Sequence, residues 1–427
     1  MLWPGKPAWD PPPRCPCQPR TTRRLIVGGL LCGVDPWGRA NFLIRKIAKG
    51  FGIFFVALLT VMVVGVGASG VARVQARQLA EPTGPSAVGR IELALTDATR
   101  VDPFAADGRR REIAVWIWYP TAKGGSAATA PYLPRTWADA ANNVNGPASV
   151  LFQDNNAVRT NSIEGAALQS KSPPVVVLLP GLGPSIAEYS ALAEDLASHG
   201  YAVVGINPSG SSQVVGFPDG HLVYGTPEGR IAETNIDAWY ATASRVVGVW
   251  VDDASFVVST LAKNPPATGA LDFSHVAYVG HSLGGNASFE VCAHDPLCSA
   301  AIDLDGTIFS QVRTTGLKVP GLILQANDKA SCDSFCQRRK DDFKALTLSG
   351  PVRDFAVNGA EHLNFTDNSV LYMPVLHPVG QLGSIDGARS IVITRDVVRA
   401  FLDQGVRGIP ALTFEATVGR YGELHAP

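Results

Sequence analysis

The sequence predicts an α/β fold: a mostly parallel, doubly wound sheet with helices on both faces. Three observations carry this. Short runs of consecutive apolar residues, such as Val175–Leu179 (VVVLL) and Tyr201–Ile206 (YAVVGI), suit strands buried on both faces. Helical patterns lie between such runs, so strand and helix alternate. Finally, the apolar strand Val276–Val279 enters Gly280-His281-Ser282-Leu283-Gly284, which opens a helix. That is the strand–turn–helix setting of a G-x-S-x-G elbow, where close backbones demand glycine on either side of a serine.

The elements follow in order. Strands are expected at Arg90–Leu95 and Glu112–Trp118, with AADGRRR as the polar turn between them. Residues 121–130 are small and polar, as in a surface loop. After VVVLL, Ser185 and Glu188 have capping-box spacing, so a helix should start there. Its apolar face is Ile186, Tyr189, Leu192, Ala193 and Leu196, and Gly200 is the expected stop. Val214–Tyr224 reads as a hairpin around Pro218-Asp219-Gly220. Ile236–Leu261 carries apolar residues at helical spacing and ends at Asn264-Pro265-Pro266. Beyond the elbow, strands are expected at Ser299–Leu304, Val319–Gln325 and Val352–Val357, and a closing helix at Arg389–Leu402.

The 427 residues carry 36 Lys/Arg and 37 Asp/Glu. The balance is uneven: residues 1–50 hold nine Lys/Arg and two Asp/Glu. The body is therefore mildly acidic and lacks a basic stripe, which argues against nucleic acid as a partner. No charge occurs from Gly50 to Ala72, 23 residues that would span roughly 35 Å as a helix. Arg45, Lys46 and Lys49 precede this run and favour a cytoplasmic N-terminus. A retained anchor and a cleaved signal peptide both fit, and both place the body outside the cytoplasm. The expected organisation is a basic head at 1–49, a membrane or signal segment at 50–72, a linker at 73–87 and a catalytic domain at 88–427. Four cysteines lie in the body, and proximity favours disulfides Cys292–Cys298 and Cys332–Cys336. Their spacings do not match a usual zinc module.

A serine hydroxyl at neutral pH needs a base, an acid to orient that base, and donors for an oxyanion. In α/β-hydrolases the chain order is serine, acid, histidine. His294, His362, His377 and His425 follow Ser282. His294 falls on the elbow helix and His425 in the tail. His362 follows a predicted strand by a short loop, with His377 as the fallback. Asp305 and Asp328 each end a predicted strand, and position alone does not choose between them.

From about Val88 to Val406 the chain resembles the platelet-activating factor acetylhydrolase family of α/β-hydrolases and the bacterial esterases like it. LTDATRVDPF and REIAVWIWYP look like that family's opening hairpin, and YSALAEDLASHGYAVVGI like its first helix and next strand. GHSLGG, AIDLDGTIF and GAEHLNFTD look like its serine, acid and histidine segments. The resemblance implies Ser282 as nucleophile, Asp305 as acid and His362 as base. It implies oxyanion donors at the backbone N–H groups of Leu182 and Leu283, and no cofactor or metal. Pro180 departs from the histidine more often found before Gly-Leu-Gly. Asp328 sits where cutinase-like relatives place their acid. The expected activity is hydrolysis of short-acyl lipid or other esters. Acyl transfer, polyester cleavage and a catalytically dead binding protein are the alternatives. Leu182, Leu283 and Phe309, with Tyr189 or Leu363, are the expected neighbours of the substrate's acyl group.

Overall fold

The computed structural model describes residues 36–122, 128–169, 172–233, 235–327 and 334–427. It falls into two units, residues 1–63 and 64–427. In the first, the described residues are helical and belong to α1, Pro36–Arg73. The stretch Phe54–Arg73 is long and apolar enough to cross a membrane, with mean hydropathy 2.3 and none of it buried.

The second unit is built on a 12-stranded sheet. Its strands are β1 (Arg77–Gln78), β2 (Ala87–Val101), β3 (Arg110–Thr121), β4 (Thr129–Pro131), β5 (Val158–Glu164), β6 (Pro174–Leu179) and β7 (Ala202–Asn207). After a small separate hairpin of β8 (Val214–Gly216) and β9 (Leu222–Tyr224) come β10 (Asp272–His281), β11 (Cys298–Leu304), β12 (Gly321–Asn327), β13 (Val352–Asn358) and β14 (Leu424–His425). The order is β1-β5-β2-β3-β7-β6-β10-β11-β12-β13-β14, with β4 beside β5. From β7 through β13 every neighbouring pair is parallel, whereas β3 runs antiparallel to both β2 and β7. The mostly parallel sheet matches the expectation.

The helices of this unit are α2 (Arg135–Asn143), α3 (Ser190–Ser198), α4 (Ile236–Lys263), α5 (Leu283–His294), α6 (Val312–Thr315), α7 (Ser334–Ser349), α8 (Gly387–Arg407) and α9 (Ala411–Val418). They cover both faces. Val176 and Leu178 of β6 pack in one core with α3 and α8, while Val175, Val177 and Leu179 pack in another with α4 and α5. The side-chain period of two divides each strand between these cores.

Several boundaries differ from expectation for identifiable reasons. The Ser185–Glu188 capping box is present, but the first turn, Ile186–Tyr189, is a 3₁₀ helix before α3 begins. Gly200 closes α3 at φ +92°, in the left-handed region. Arg110 and Arg111 are not in the turn but in β3. Arg111 is fully buried, with Asp253 at 2.7 Å and Asp102 at 3.1 Å. Within residues 73–87, β1 pairs with β5, and Arg395 donates to the carbonyls of Ala80 and Glu81. The Cys292–Cys298 disulfide is present. Cys336 is disulfide-bonded too, while Cys332 lies outside the described residues.

Candidate active site

Ser282 sits at φ 58°, ψ −122°, between the end of β10 and the first turn of α5. Few side chains tolerate this region, and such strain persists only where packing over-determines it. The glycines permit it. A Cβ at Gly280 would lie 2.0 Å from Gly284 O, and one at Gly284 would lie 2.3 Å from Pro180 O. The Ser282 N–H donates to Leu304 O at 2.9 Å, tying the elbow to β11.

Three side chains from distant parts of the chain meet here. His362 Nε2 lies 3.0 Å from Ser282 Oγ, and its Nδ1 lies 2.7 Å from Asp305 Oδ2. Asp305 follows β11 at φ 51°. Its Oδ1 accepts from Ala326 N and from Arg339 Nη1, each at 2.9 Å. Burial alone would raise the Asp305 carboxyl. The Arg339 guanidinium and the bond to His362 outweigh this and hold it well below the usual carboxylate range. His362 begins a 3₁₀ turn. That turn is framed by a capping box in which the Glu361 N–H donates to Asn364 Oδ1 at 2.9 Å.

Behind the serine lies a second chain of hydrogen bonds. The Gly181 N–H donates to the Tyr189 hydroxyl oxygen at 2.9 Å, and that hydroxyl meets His281 Nδ1 at 2.8 Å. His281 Nε2 lies 2.9 Å from the backbone carbonyl of His362. A carbonyl only accepts, so Nε2 carries the proton and Nδ1 accepts from Tyr189. Burial, then the neighbouring His362, lower His281 to about 3, so it stays neutral. The network links the Gly181-Leu182 loop, the elbow and the His362 turn. Asp303, fully buried below, accepts from Gly306 N at 2.9 Å. Burial and then Asp305 push its carboxyl well above the ordinary value.

Ser282 opens into a cavity of about 410 Å³ lined by Leu182, Leu283, Ile231, Trp239, Phe309 and Arg339, among others. Leu283 is the first residue of α5, so its N–H lies among those a helix leaves without an internal partner. Leu182 follows β6 in the loop beside it. Two expected neighbours are absent from this lining. Tyr189 is buried in the hydrogen-bond chain, and Leu363 lines an adjoining cavity. Ile231, Trp239 and Arg339 were not expected. His294 and His377 are exposed, and His425 pairs with Asn327 Nδ2 at 3.0 Å. Asp328 lies outside the described residues.

The fold and this geometry can be set against known proteins. The family model for platelet-activating factor acetylhydrolase, isoform II, matches residues 71–216. A probable 1-alkyl-2-acetylglycerophosphocholine esterase from Arthroderma benhamiae is 24% identical over 350 residues, covering 75% of this chain and 83% of that one. The chain belongs to the platelet-activating factor acetylhydrolase-like family. Another relative, the platelet-activating factor acetylhydrolase of Cavia porcellus, is 23% identical over 249 residues, 53% of this chain and 55% of that one. Among solved structures, the ferulic acid esterase from Streptomyces cinnamoneus superposes with a TM-score of 0.69 at 30% identity. It covers 82% of this chain and 98% of that one. These relatives of the acetylhydrolase-like chain are named as ester-cleaving enzymes, which supports ester hydrolysis as its chemistry. The family-model match ends before the elbow and so does not bear on Ser282.

Proposed function

We propose that this protein is a serine carboxylic-ester hydrolase acting on short-acyl lipid or other esters. The observation that carries the reading is the hydrogen-bonded line from Ser282 through His362 to Asp305, open to a cavity in which Leu182, Leu283, Ile231, Trp239 and Phe309 supply apolar surface. Ser282 Oγ attacks the ester carbonyl carbon as His362 Nε2 takes its proton. Asp305 holds the imidazole with Nδ1 protonated and stabilises the cation that forms. The N–H groups of Leu182 and Leu283 receive the developing oxyanion. Collapse of the tetrahedral intermediate breaks the bond to the alkoxy oxygen, which leaves as the alcohol with the proton from His362. Water, deprotonated by the same nitrogen, then cleaves the acyl-enzyme to release the acid and free Ser282. No metal or organic cofactor enters these steps.

Residues 50–72 read as a membrane anchor or signal segment, and residues 88–427 as an exported catalytic domain. The exposed apolar stretch Phe54–Arg73 supports this, as does the Cys292–Cys298 disulfide, a bond that oxidising compartments favour.

The test is covalent. A fluorophosphonate probe labels the wild-type protein at Ser282, while Ser282→Ala and His362→Ala lose roughly 10⁴–10⁶ in kcat with melting behaviour retained. A folded wild-type protein that neither takes the probe nor hydrolyses p-nitrophenyl acetate overturns the reading.

A further inference from the structure

The loop after β6 is closed on itself. Gly181 and Tyr189 are eight residues apart, and the Gly181 N–H donates to the Tyr189 hydroxyl oxygen at 2.9 Å. Tyr189 is only 1% exposed, and its hydroxyl donates onward to His281 Nδ1 at 2.8 Å. The residue is itself firmly held. It closes the 3₁₀ turn that the Ser185–Glu188 capping box opens, and the Ile186 N–H in that turn donates to Asn207 Oδ1 at 2.9 Å. Glu188 accepts from Asn368 Nδ2 at 2.7 Å. The Tyr189 ring packs in the core shared by α3 and α8.

Around Leu182 the backbone is tied on both sides. Before it, the Gly181 N–H goes to Tyr189. After it, the Gly183 carbonyl accepts from Gln213 N at 2.8 Å and the Pro184 carbonyl from Ser212 Oγ at 2.9 Å. The Leu182 N–H makes no hydrogen bond to a described residue, and Leu182 lines the cavity at Ser282. Position 181 demands a small residue. A Cβ there would lie 3.1 Å from His281 Nδ1, 3.3 Å from Ser282 Cβ and 3.5 Å from the Tyr189 hydroxyl oxygen. Glycine fits the space but is permissive in both backbone dihedrals. Those two soft dihedrals are all that separate the Gly181 N–H from the Leu182 N–H. Close approach to the nucleophile therefore puts the most compliant residue next to the free donor. An oxyanion donor helps only when it is aimed before the charge forms, so this segment needs an external anchor. The Tyr189 hydroxyl is that anchor.

We propose that Tyr189 is a positioning residue for ester hydrolysis: its hydroxyl holds the Gly181-Leu182 segment so that the Leu182 N–H faces the oxyanion formed at Ser282. The proposal rests on the esterase reading and on Leu182 as an oxyanion donor. Through His281, whose Nε2 reaches the His362 carbonyl at 2.9 Å, the same hydroxyl ties that donor to the turn carrying the base.

The test compares p-nitrophenyl acetate with its thiono analogue, in which sulfur replaces the carbonyl oxygen, using the full chain. Sulfur is a larger and poorer acceptor, so an N–H aimed at oxygen favours the oxygen ester in the transition state. Tyr189→Phe keeps the ring and removes the anchor. It also leaves the Gly181 N–H and His281 Nδ1 without that partner, so each protein is assayed well below its own unfolding midpoint. Gly181→Ala is the second variant. It deletes no hydrogen-bonding group and instead pushes the segment away from the hydroxyl with its Cβ. In each variant kcat/KM for the oxygen ester should fall about 10- to 100-fold, the scale of a donor misplaced by about 1 Å. Most of that loss should be absent for the thiono ester, so the oxygen-to-thiono ratio falls. The acid limb of the pH profile, which reports His362, should stay in place. A loss shared equally by both esters, or a shifted limb with the ratio unchanged, overturns the proposal, because Tyr189 then acts through packing or through the base. So does a Tyr189→Phe protein as active as wild type. A wild type that cleaves neither ester and takes no fluorophosphonate fails the esterase reading itself, whereas an active wild type whose ratio is indifferent to Tyr189 fails this proposal alone.

Discussion

The acid position offers the sharpest prediction, because the structure fixes how an amide would sit there. Asp305 Oδ1 accepts two N–H donors, from Ala326 and Arg339, and only Oδ2 faces His362 Nδ1. In Asp305→Asn the two donors hold the amide oxygen in the Oδ1 place. The NH₂ group therefore points at His362. Flipping it would set NH₂ against a backbone N–H and a guanidinium. That leaves two buried donors unpaired at about 1–3 kcal/mol each, so the flipped form is rare. A donor facing Nδ1 forces that nitrogen to accept, and the ring proton moves to Nε2. His362 then presents N–H to Ser282 and cannot take its proton. The expected loss is about 10⁴ in kcat, or roughly 5–6 kcal/mol in the barrier. The assay is hydrolysis of p-nitrophenyl acetate at neutral pH, with circular dichroism to confirm folding. The same substitution at Asp328 should cost no more than a few-fold. A folded Asp305→Asn within tenfold of wild type, or a larger loss at Asp328, would refute the assignment.

Three further outcomes are expected. His281 is lowered from 6.5 to about 3 in the fold, so the stability tied to its neutral form is complete above pH 6.5 and is lost as pH falls toward 3. Urea titrations should show wild type losing stability across that window more steeply than His281→Gln, by about 1.4 kcal/mol per pH unit; equal slopes would show that His281 is not held neutral. Gly285→Ala would set a Cβ 1.6 Å from Asp303 Oδ1 and should abolish activity, whereas Gly248→Ala in α4 meets nothing within 4 Å and should stabilise by about 0.5–1 kcal/mol in thermal unfolding; an active, stable Gly285→Ala contradicts the packing argument. In a series of p-nitrophenyl esters, acetyl to hexanoyl should be best, since Trp239 and Phe309 bound the cavity and each methylene discriminates by only about 1–3 kcal/mol; a kcat/KM climbing steadily to palmitoyl would mark a long-chain lipase.

What the sequence made legible follows from where each signal resides. The buried parallel strands announced themselves because both faces need apolar residues, so β6, β7 and β10 read as continuous runs. β5 did not. Its buried positions include Thr160 and Ser162, and Ser162 is tolerated inside because its hydroxyl donates to Glu194 Oε1 at 2.6 Å. Arg111 was hidden for the same reason: a charge reads as surface until its partners, Asp102 and Asp253, are brought in from elsewhere in the chain. Arg339 lies in QRRKDD, a run that reads as a solvated helix face, and only the packing of α7 beside β13 puts it on Asp305. Trp239 stands at apolar helical spacing in α4, and periodicity cannot tell a core position from one that lines a site.

The Asp303-Leu304-Asp305 stretch shows how closely serine and acid are built together. Asp303 lies in β11 and Asp305 just past its end at φ 51°, and these two neighbouring carboxyls have opposite electrostatic fates. Asp303 is sealed in the sheet, accepting from Gly306 N, with burial favouring its neutral form. Asp305 is buried too, but Arg339 and His362 keep it ionised. The glycines on either side leave no doubt about the order of assembly in space. A Cβ at Gly306 would lie 2.2 Å from Asp303 Oδ1 and 2.4 Å from Ser282 O, and one at Gly285 would strike the same carboxyl oxygen. The turn after β11 and the turn after β10 therefore close around one buried carboxyl. A neutral acid suits that place: an ionised Asp303 would repel the Asp305 carboxylate, whose charge faces His362. The distance from Ser282 to Asp305 is thus set beneath the site, by backbone approach that only glycine allows.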